Sequence, residues 1–332
     1  MKPKIFLTGS TGFLGKYLKN TLIKKGYSLV CLCRNNLEDS KDKSTIITAT
    51  DEDFFSKNFL KKAINKCDAI IHLAGIADNN YINNQSDIDE LFKINEDFTI
   101  KLFTAAQESN IKKFIFMSTI KVCGEYTEDE PFTENTLQTI NQTVELDNRL
   151  AGNPYVKSKI KAENTLIRNY HDSGDSNYQL LNIIRPPIIY GEGVKGNIKT
   201  LIRTIQKGFP LPTSILNEKR SMISIYNLTD LIVNILKSEL TGVIKSCCKD
   251  IDISTCDLVR KIAISLDKSR PDFYTPAWLL KIGALVFNKT EMMNKLTKPL
   301  LVNDKKTRER FNWEPSLSFE KGMKKTIDSL IN

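Results

Sequence analysis

Three features of the sequence predict an α/β fold built on a parallel sheet. Short runs rich in β-branched and aromatic residues alternate with helical segments through the first half of the chain. These runs are apolar at successive positions, which is the pattern of strands covered on both faces. The first run passes into a helix through three glycines, as a nucleotide-binding turn requires.

The elements follow in order. "KIFLT" (4–8), "SLVCLC" (28–33), "AIIHLA" (69–74), "KFIFMS" (113–118) and "LLNIIR" (180–185) read as buried strands, with "STIITA" near 44 as a further candidate. Helices are expected at about 13–25, 53–66, 86–110 and 154–170. Residues 119–153 form a long, polar, aperiodic connection, and loops of that length in a compact domain usually carry function. After Arg185 the chain turns to shorter elements punctuated by proline and glycine, with no internal repeat.

At 332 residues the chain can bury a large core, in one large or two closely joined domains. The N-terminus starts like a signal peptide, but its apolar run stops at Thr8, Gly9 and Ser10. No apolar stretch approaches the roughly 20 residues that span a bilayer. "AWLLKIGALVF" (277–287) comes nearest and, interrupted by Lys281, reads as a buried or groove-covering helix. The seven cysteines include no CxxC pair, and His72 and His171 are the only histidines. No metal site is expected; reduced thiols and a cytoplasmic location are. The net charge of +9 is spread along the chain without a basic tail. Nucleic acid is therefore not the expected partner, and phosphorylated small molecules account for the charge as well.

Two stretches carry chemistry on their residues alone. In "TGSTGFLG", Gly9, Gly12 and Gly15 allow a tight turn that brings backbone N–H groups to a pyrophosphate. In "PYVKSKIKAE", Tyr155 and Lys159 are four apart and share a helix face, so the ammonium lies near the phenol. The second strand ends "CLCRN", offering Arg34 where NAD-binding strands carry an acid. A guanidinium there can clamp a 2′-phosphate, which favours NADP(H), with NAD(H) as the alternative. A solvated strand-end arginine is the bland reading.

The sequence resembles the extended short-chain dehydrogenases/reductases of the nucleotide-sugar epimerase/dehydratase family. The matches include "TGSTGFLG", "DAIIHLAG", "INEDFT", "FIFMSTIKVCGE", "YVKSKIKAE", "RPPIIYGEG", "KRSMISIYNLTDLI" and "DKKTRERFNWEPSLSFEKG". The resemblance implies a Rossmann-type doubly wound sheet and a smaller C-terminal α/β substrate domain. The expected division is 1–185, with about 217–237 returning to it, and mainly 186–332. It implies Tyr155 as catalytic acid/base, Lys159 as its partner and cofactor-ribose contact, and Thr119 as the hydroxyl orienting the same oxygen. Cofactor contacts are implied at Gly9, Gly12, Phe13, Leu14, Gly15, Arg34, Leu73, Ala74, Gly75, Ser118 and Pro186, besides Tyr155 and Lys159. Substrate contacts are implied at Thr119, Tyr155, Asn197 and Arg220, with Lys195 beside them. Cys123 stands where the family usually has tyrosine, and Gly75 where it commonly has alanine. Asn95 opens an "NxxxT" pattern read as structural.

Within the family, "RPPIIYGEGVKGN", "RSMISIYNLTDLI" and "TPAWLLKIG" are similar to a bacterial surface-polysaccharide subgroup of UDP-N-acetylquinovosamine 4-reductases and UDP-glucose 4-epimerases. The resemblance implies carbon-4 chemistry on a UDP-sugar, with 4-keto reduction placed ahead of epimerisation, and a homodimer. "MSTIKV" lacks the Asp-Glu pair of dehydratases. A carbonyl reductase of a non-nucleotide ketone is a further alternative. To act as a base near neutrality, Tyr155 must titrate about 3 units below its free value, roughly 4 kcal/mol. A charge about 5 Å away at an effective dielectric near 20 contributes roughly 3 kcal/mol, so Lys159 is expected to supply most of the shift.

Overall fold

The computed structural model describes residues 2–34, 44–77, 84–109, 111–136, 153–174, 179–209, 211, 216–268 and 298–331. The chain begins β1 (Lys4–Thr8), α1 (Phe13–Lys24), β2 (Ser28–Cys33), β3 (Ser44–Thr48), α2 (Lys57–Ala63), β4 (Ala69–His72) and α3 (Gln85–Phe92). It continues α4 (Phe98–Glu108), β5 (Lys113–Met117), α5 (Pro154–Asp172), β6 (Leu180–Arg185), β7 (Ile188–Tyr190), α6 (Gly196–Gln206) and β8 (Lys219–Ser224). The last elements are α7 (Ile225–Lys237), β9 (Gly242–Cys247), β10 (Ile251–Ser254), α8 (Thr255–Ser265), α9 (Lys305–Phe311) and α10 (Phe319–Ile331).

Two compact units divide the chain. The first comprises Met1–Val122, Leu137–Arg185 and Leu231–Ser246; the second comprises Cys123–Thr136, Pro186–Asp230 and Cys247–Asn332. Residues 217–230 therefore belong to the second unit and 231–237 to the first.

The first unit holds a seven-stranded sheet in the order β3-β2-β1-β4-β5-β6-β9, and β3 through β6 pair parallel. That order reverses between β1 and β4, the switch point at which doubly wound sheets open a crevice. All five strands expected from apolar runs are buried along nearly their whole length; β4 stops at His72, two residues short of its run, and β5 at Met117, one residue short. The candidate near 44 is also a strand, β3, with a half-exposed pattern that suits a sheet edge. Lys113, at the start of β5, turns its ammonium onto the last carbonyls of α7, at Ile235, Leu236 and Ser238. Carbonyls at a helix C-terminus lack intrahelical donors, so the ammonium adds to the Ser238 bonds on Ile235 and complements the helix dipole.

The helix expected over 86–110 is interrupted. Asn84 caps α3 in a reciprocal capping box with Asp87, and a π-turn at Lys93–Asp97 separates α3 from α4. The extra residue in that turn leaves Asn95 fully buried. The segments 137–152 and 277–287 singled out above lie outside the described residues.

At the centre of this unit His72 sits in an aromatic cage, stacked on Phe116 at 5.8 Å and edge-on to Phe98 at 5.2 Å. The Thr99 hydroxyl donates to the Asn95 carbonyl at 2.8 Å, so it accepts from His72 Nε2 at 2.8 Å. Thr8 then donates to Nδ1 at 2.7 Å, and its oxygen accepts from the Ala74 N–H at 3.2 Å. The ring is therefore neutral, and β1, β4 and α4 are tied by one chain of hydrogen bonds. Burial, aided by the Lys159 charge, takes its pKa from 6.5 down to about 3.

The second unit holds a three-stranded sheet in the order β10-β8-β7, with β7 parallel and β10 antiparallel to β8. Half-buried Asp250 accepts from Tyr190 Oη at 2.9 Å, Ser224 N at 2.8 Å and Asn227 Nδ2 at 2.9 Å. Asn227 also exchanges two hydrogen bonds with the Leu317 backbone, fixing the segment that leads into α10.

The neutral His72 makes stability depend on acid. Its folded pKa is below its unfolded value, so the unfolded chain takes the proton first and stability falls as pH drops from about 6.5 towards 3. The slope from this group approaches about 1.4 kcal/mol per pH unit. Urea midpoints measured across that range should fall less steeply in His72→Asn than in the parent; parallel lines would mean that His72 is not held neutral.

Candidate active site

The start of α5 is sharply defined. The Asn153 side chain accepts from the N–H groups of Tyr155 at 3.1 Å and Val156 at 3.4 Å, and Pro154 occupies the first helical position. This fixes Tyr155 in the first turn and Lys159 one turn later. Opposite them, β5 ends at Met117 and the chain continues through Ser118 and Thr119 into a 3₁₀ turn at Ile120–Cys123. The Thr119 hydroxyl faces the Tyr155 phenol and acts to lower its pKa. Lys159 Nζ donates to the Met117 carbonyl at 2.9 Å and lies 4.6 Å from the Phe116 ring centre. The three residues predicted to act together are thus brought together in the first unit.

Their protonation differs from the expectation. Burial raises the Tyr155 phenol to about 12, with Thr119 only partly opposing it. Lys159 is lowered to about 8 by burial, and Glu163 opposes that shift. The phenol rests neutral because its loss of hydration outweighs the Thr119 contribution, and the Lys159 ammonium is turned towards the Met117 carbonyl.

Asn95 locks the neighbouring loop. Its Oδ1 accepts from Ile76 N at 2.8 Å, and its Nδ2 donates to Ile76 O and to Ser158 Oγ, both at 3.0 Å. Ser158 donates back to the Tyr155 carbonyl at 2.8 Å, so the loop after β4 is bound to the catalytic helix. A Cβ on Gly75 would lie 3.0 Å from Asn95 Oδ1 and 3.3 Å from Lys159 Nζ, which explains why this position is bare.

A cavity of about 670 Å³ opens at the switch point, lined by Gly9, Thr11, Gly12, Leu32, Cys33, Arg34, Phe54 and Leu73–Ile76, with Ile94 and Phe98. Gly9 has φ +71°, and a Cβ there would come within 2.7 Å of Ala74 N. A Cβ on Gly15 would fall 1.9 Å from the Gly9 carbonyl, so the helix can approach the loop only through glycine. This bare cradle ahead of α1 fits a dinucleotide whose pyrophosphate meets the backbone N–H groups. Arg34 stands at its edge, half exposed, 3.8 Å from Glu90 and over the Phe54 ring at 5.9 Å.

Of the other expected cofactor residues, Phe13, Leu14 and Gly15 open α1, with Leu14 and Gly15 on its buried face. The Ser118 hydroxyl is committed to Glu163. Pro186 belongs to the second unit, as do Lys195, Asn197 and Arg220. Lys195 and Asn197 are exposed at the start of α6. Arg220 lies in β8, donating to the Lys298 carbonyl at 3.4 Å, with its pKa lowered by burial against the pull of Glu125. Cys123 is buried. Sequence reasoning missed Glu163 and the roles of His72 and Arg185. The signal available was an acid one turn beyond Lys159 and an arginine ending an apolar strand. All seven cysteines are buried and none is in a disulfide. Among the described residues no acid, histidine or cysteine cluster suits a metal, and no helix is long and apolar enough to cross a membrane.

The sheet, the glycine cradle and the Thr119–Tyr155–Lys159 cluster define an enzyme of the extended short-chain dehydrogenase/reductase type. Residues 5–244 match the model of the NAD dependent epimerase/dehydratase family, and the chain belongs to that family. It is 32% identical over its whole length to a Vibrio cholerae protein described as UDP-glucose 4-epimerase, covering 96% of that protein. It is 24% identical to the CDP-abequose synthase of Salmonella muenchen, with 98% of each chain covered. The solved UDP-glucose 4-epimerase of Thermus thermophilus in complex with NAD superposes with a TM-score of 0.71, at 17% identity and 99% coverage of both chains.

Two substitutions separate chemistry from cofactor binding. Tyr155→Phe removes only the transferable proton, so turnover should fall at least about a hundredfold while cofactor affinity is retained. Gly9→Ala should instead abolish cofactor binding in a fluorescence titration, and turnover with it. Near-parental turnover of purified Tyr155→Phe would remove the phenol from the chemistry.

Proposed function

We propose that the chain reduces the 4-keto group of a UDP-2-acetamido-2,6-dideoxy-hexulose with NADPH, in surface-polysaccharide synthesis. The carrying observation is an intact Thr119–Tyr155–Lys159 cluster beside a cofactor cavity edged by Arg34 instead of an acid. A carboxylate there would repel a 2′-phosphate, whereas a guanidinium pairs with it.

A bound nicotinamide would supply hydride to carbon 4 and, when oxidised, a positive charge beside the phenol. Tyr155 donates its proton to the sugar oxygen as that oxygen gains charge, and Thr119 holds the same oxygen. Lys159 supplies compensating charge and the ribose contact. Arg220 is the proposed diphosphate ligand, with Asn197 and Lys195 as further substrate contacts. The enzyme is read as a cytoplasmic homodimer.

Epimerisation at carbon 4 is the second reading, favoured by the full-length likeness to the Vibrio cholerae protein. The same residues would serve, with hydride leaving and returning to opposite faces and no cofactor consumed.

Deuteride from labelled NADPH should appear at carbon 4 of the product, with stoichiometric loss of NADPH. Interconversion of UDP-glucose and UDP-galactose without added reductant would establish the epimerase instead. Separately, Arg34→Ala should shrink the preference for NADPH over NADH about ten- to a hundredfold in paired binding titrations. Equal losses for both cofactors would mean that Arg34 does not read the 2′-phosphate.

A further inference from the structure

Beneath the catalytic cluster lies a second set of charges that takes no direct part in the chemistry. Glu163 and Arg185 are both fully buried and form a forked ion pair: Nε lies 3.1 and 3.2 Å from the two carboxylate oxygens, and an η-nitrogen also bonds one of them. Ser118 donates its hydroxyl to the same carboxylate. Glu163 lies one helical turn beyond Lys159 on the same face of α5. Ser118 links Met117, whose carbonyl holds Lys159, to Thr119. Its own N–H donates to Ile184 O at 2.8 Å, next to Arg185. Three elements that must agree for the site to work therefore meet at one carboxylate.

The geometry points to Glu163 and Arg185 as positioning residues that set the charge state of Lys159 and the place of Thr119. The groups facing the Lys159 ammonium are Glu163 on α5, His72 on β4, and the uncharged Met117 carbonyl and Phe116 ring on β5, with Tyr155 one turn back on α5; Arg185 on β6 acts through its pairing with Glu163. His72 is held neutral, so the balance between Glu163 and Arg185 is the fixed electrostatic input. Removing the carboxylate leaves Arg185 unopposed and disfavours the ammonium; removing the guanidinium does the opposite.

This rests on the reading that Lys159 contacts the cofactor. The test uses the Tyr155→Phe background, in which the phenol no longer titrates, and follows cofactor affinity from neutral to alkaline pH. The parent should lose affinity near pH 8, as Lys159 gives up its proton. Glu163→Gln should move that limb down by about one unit, and Arg185→Met should move it up. The double variant should fall between them. Opposite shifts are the expected result, since a merely structural loss would weaken binding without moving the limb in two directions. Limbs that stay put, or move together, overturn the inference and leave the cofactor reading intact. A parent affinity independent of pH removes Lys159 from the cofactor contact and the inference with it. If one single variant fails to fold, the direction of shift in the other decides.

Discussion

One buried ammonium organises the first unit. Lys159 must carry a positive charge in a place from which water is largely excluded, and a charge there is tolerated only when it is paired and hydrogen-bonded. The surroundings meet that demand in several ways. The Met117 carbonyl accepts a hydrogen bond, the Phe116 face lies against the cation, and Glu163 stands one turn away. Even the missing side chain of Gly75 contributes, because a Cβ would crowd the nitrogen. The same charge acts outward on His72, reinforcing the neutral ring that ties β1 to α4.

A buried carboxylate beside such a lysine would, by itself, be a poor bargain for stability. Pairing Glu163 with Arg185 changes the arithmetic, since the two form a near-neutral unit whose remaining lone pair is satisfied by Ser118. Breaking such a pair from one side costs about 3–5 kcal/mol, whereas replacing both by apolar residues is often neutral. The unit therefore imposes specificity on the site more than it adds stability. It couples β5, β6 and α5 at the point where Thr119, Tyr155 and Lys159 converge.

Much of the first unit was legible in the sequence because its signals are local. Apolar runs announce strands buried on both faces. The glycine spacing announces a cradle, and the four-residue step from Tyr155 to Lys159 announces a shared face. What could not be read depends on sheet order. Ser118 and Glu163 are 45 residues apart in sequence, and Glu163 and Arg185 are 22 apart, so no periodicity links them. The π-turn at Asn95 was hidden for a related reason: one extra residue in a continuous helical pattern leaves the apolar spacing nearly unchanged. The neutral state of His72 and the raised phenol of Tyr155 are consequences of burial, which a motif does not report.

The raised phenol changes how the site should be understood. From about 12, the pKa of Tyr155 lies some 5 units above neutrality, equivalent to about 7 kcal/mol. A single ammonium about 5 Å away contributes roughly 3 kcal/mol at an effective dielectric near 20, and less when it is itself half-titrated near pH 8. The protein alone therefore holds the proton on Tyr155, in the form that can donate to a nascent alkoxide. Acting as a base would require further positive charge beside the phenol. The resting phenol stands one helical turn before a lysine whose own pKa is lowered to about 8, and loss of hydration is the first cause of both shifts. Burial thus fixes the phenol as a hydrogen-bond donor, and it becomes a base only when further positive charge enters the cleft.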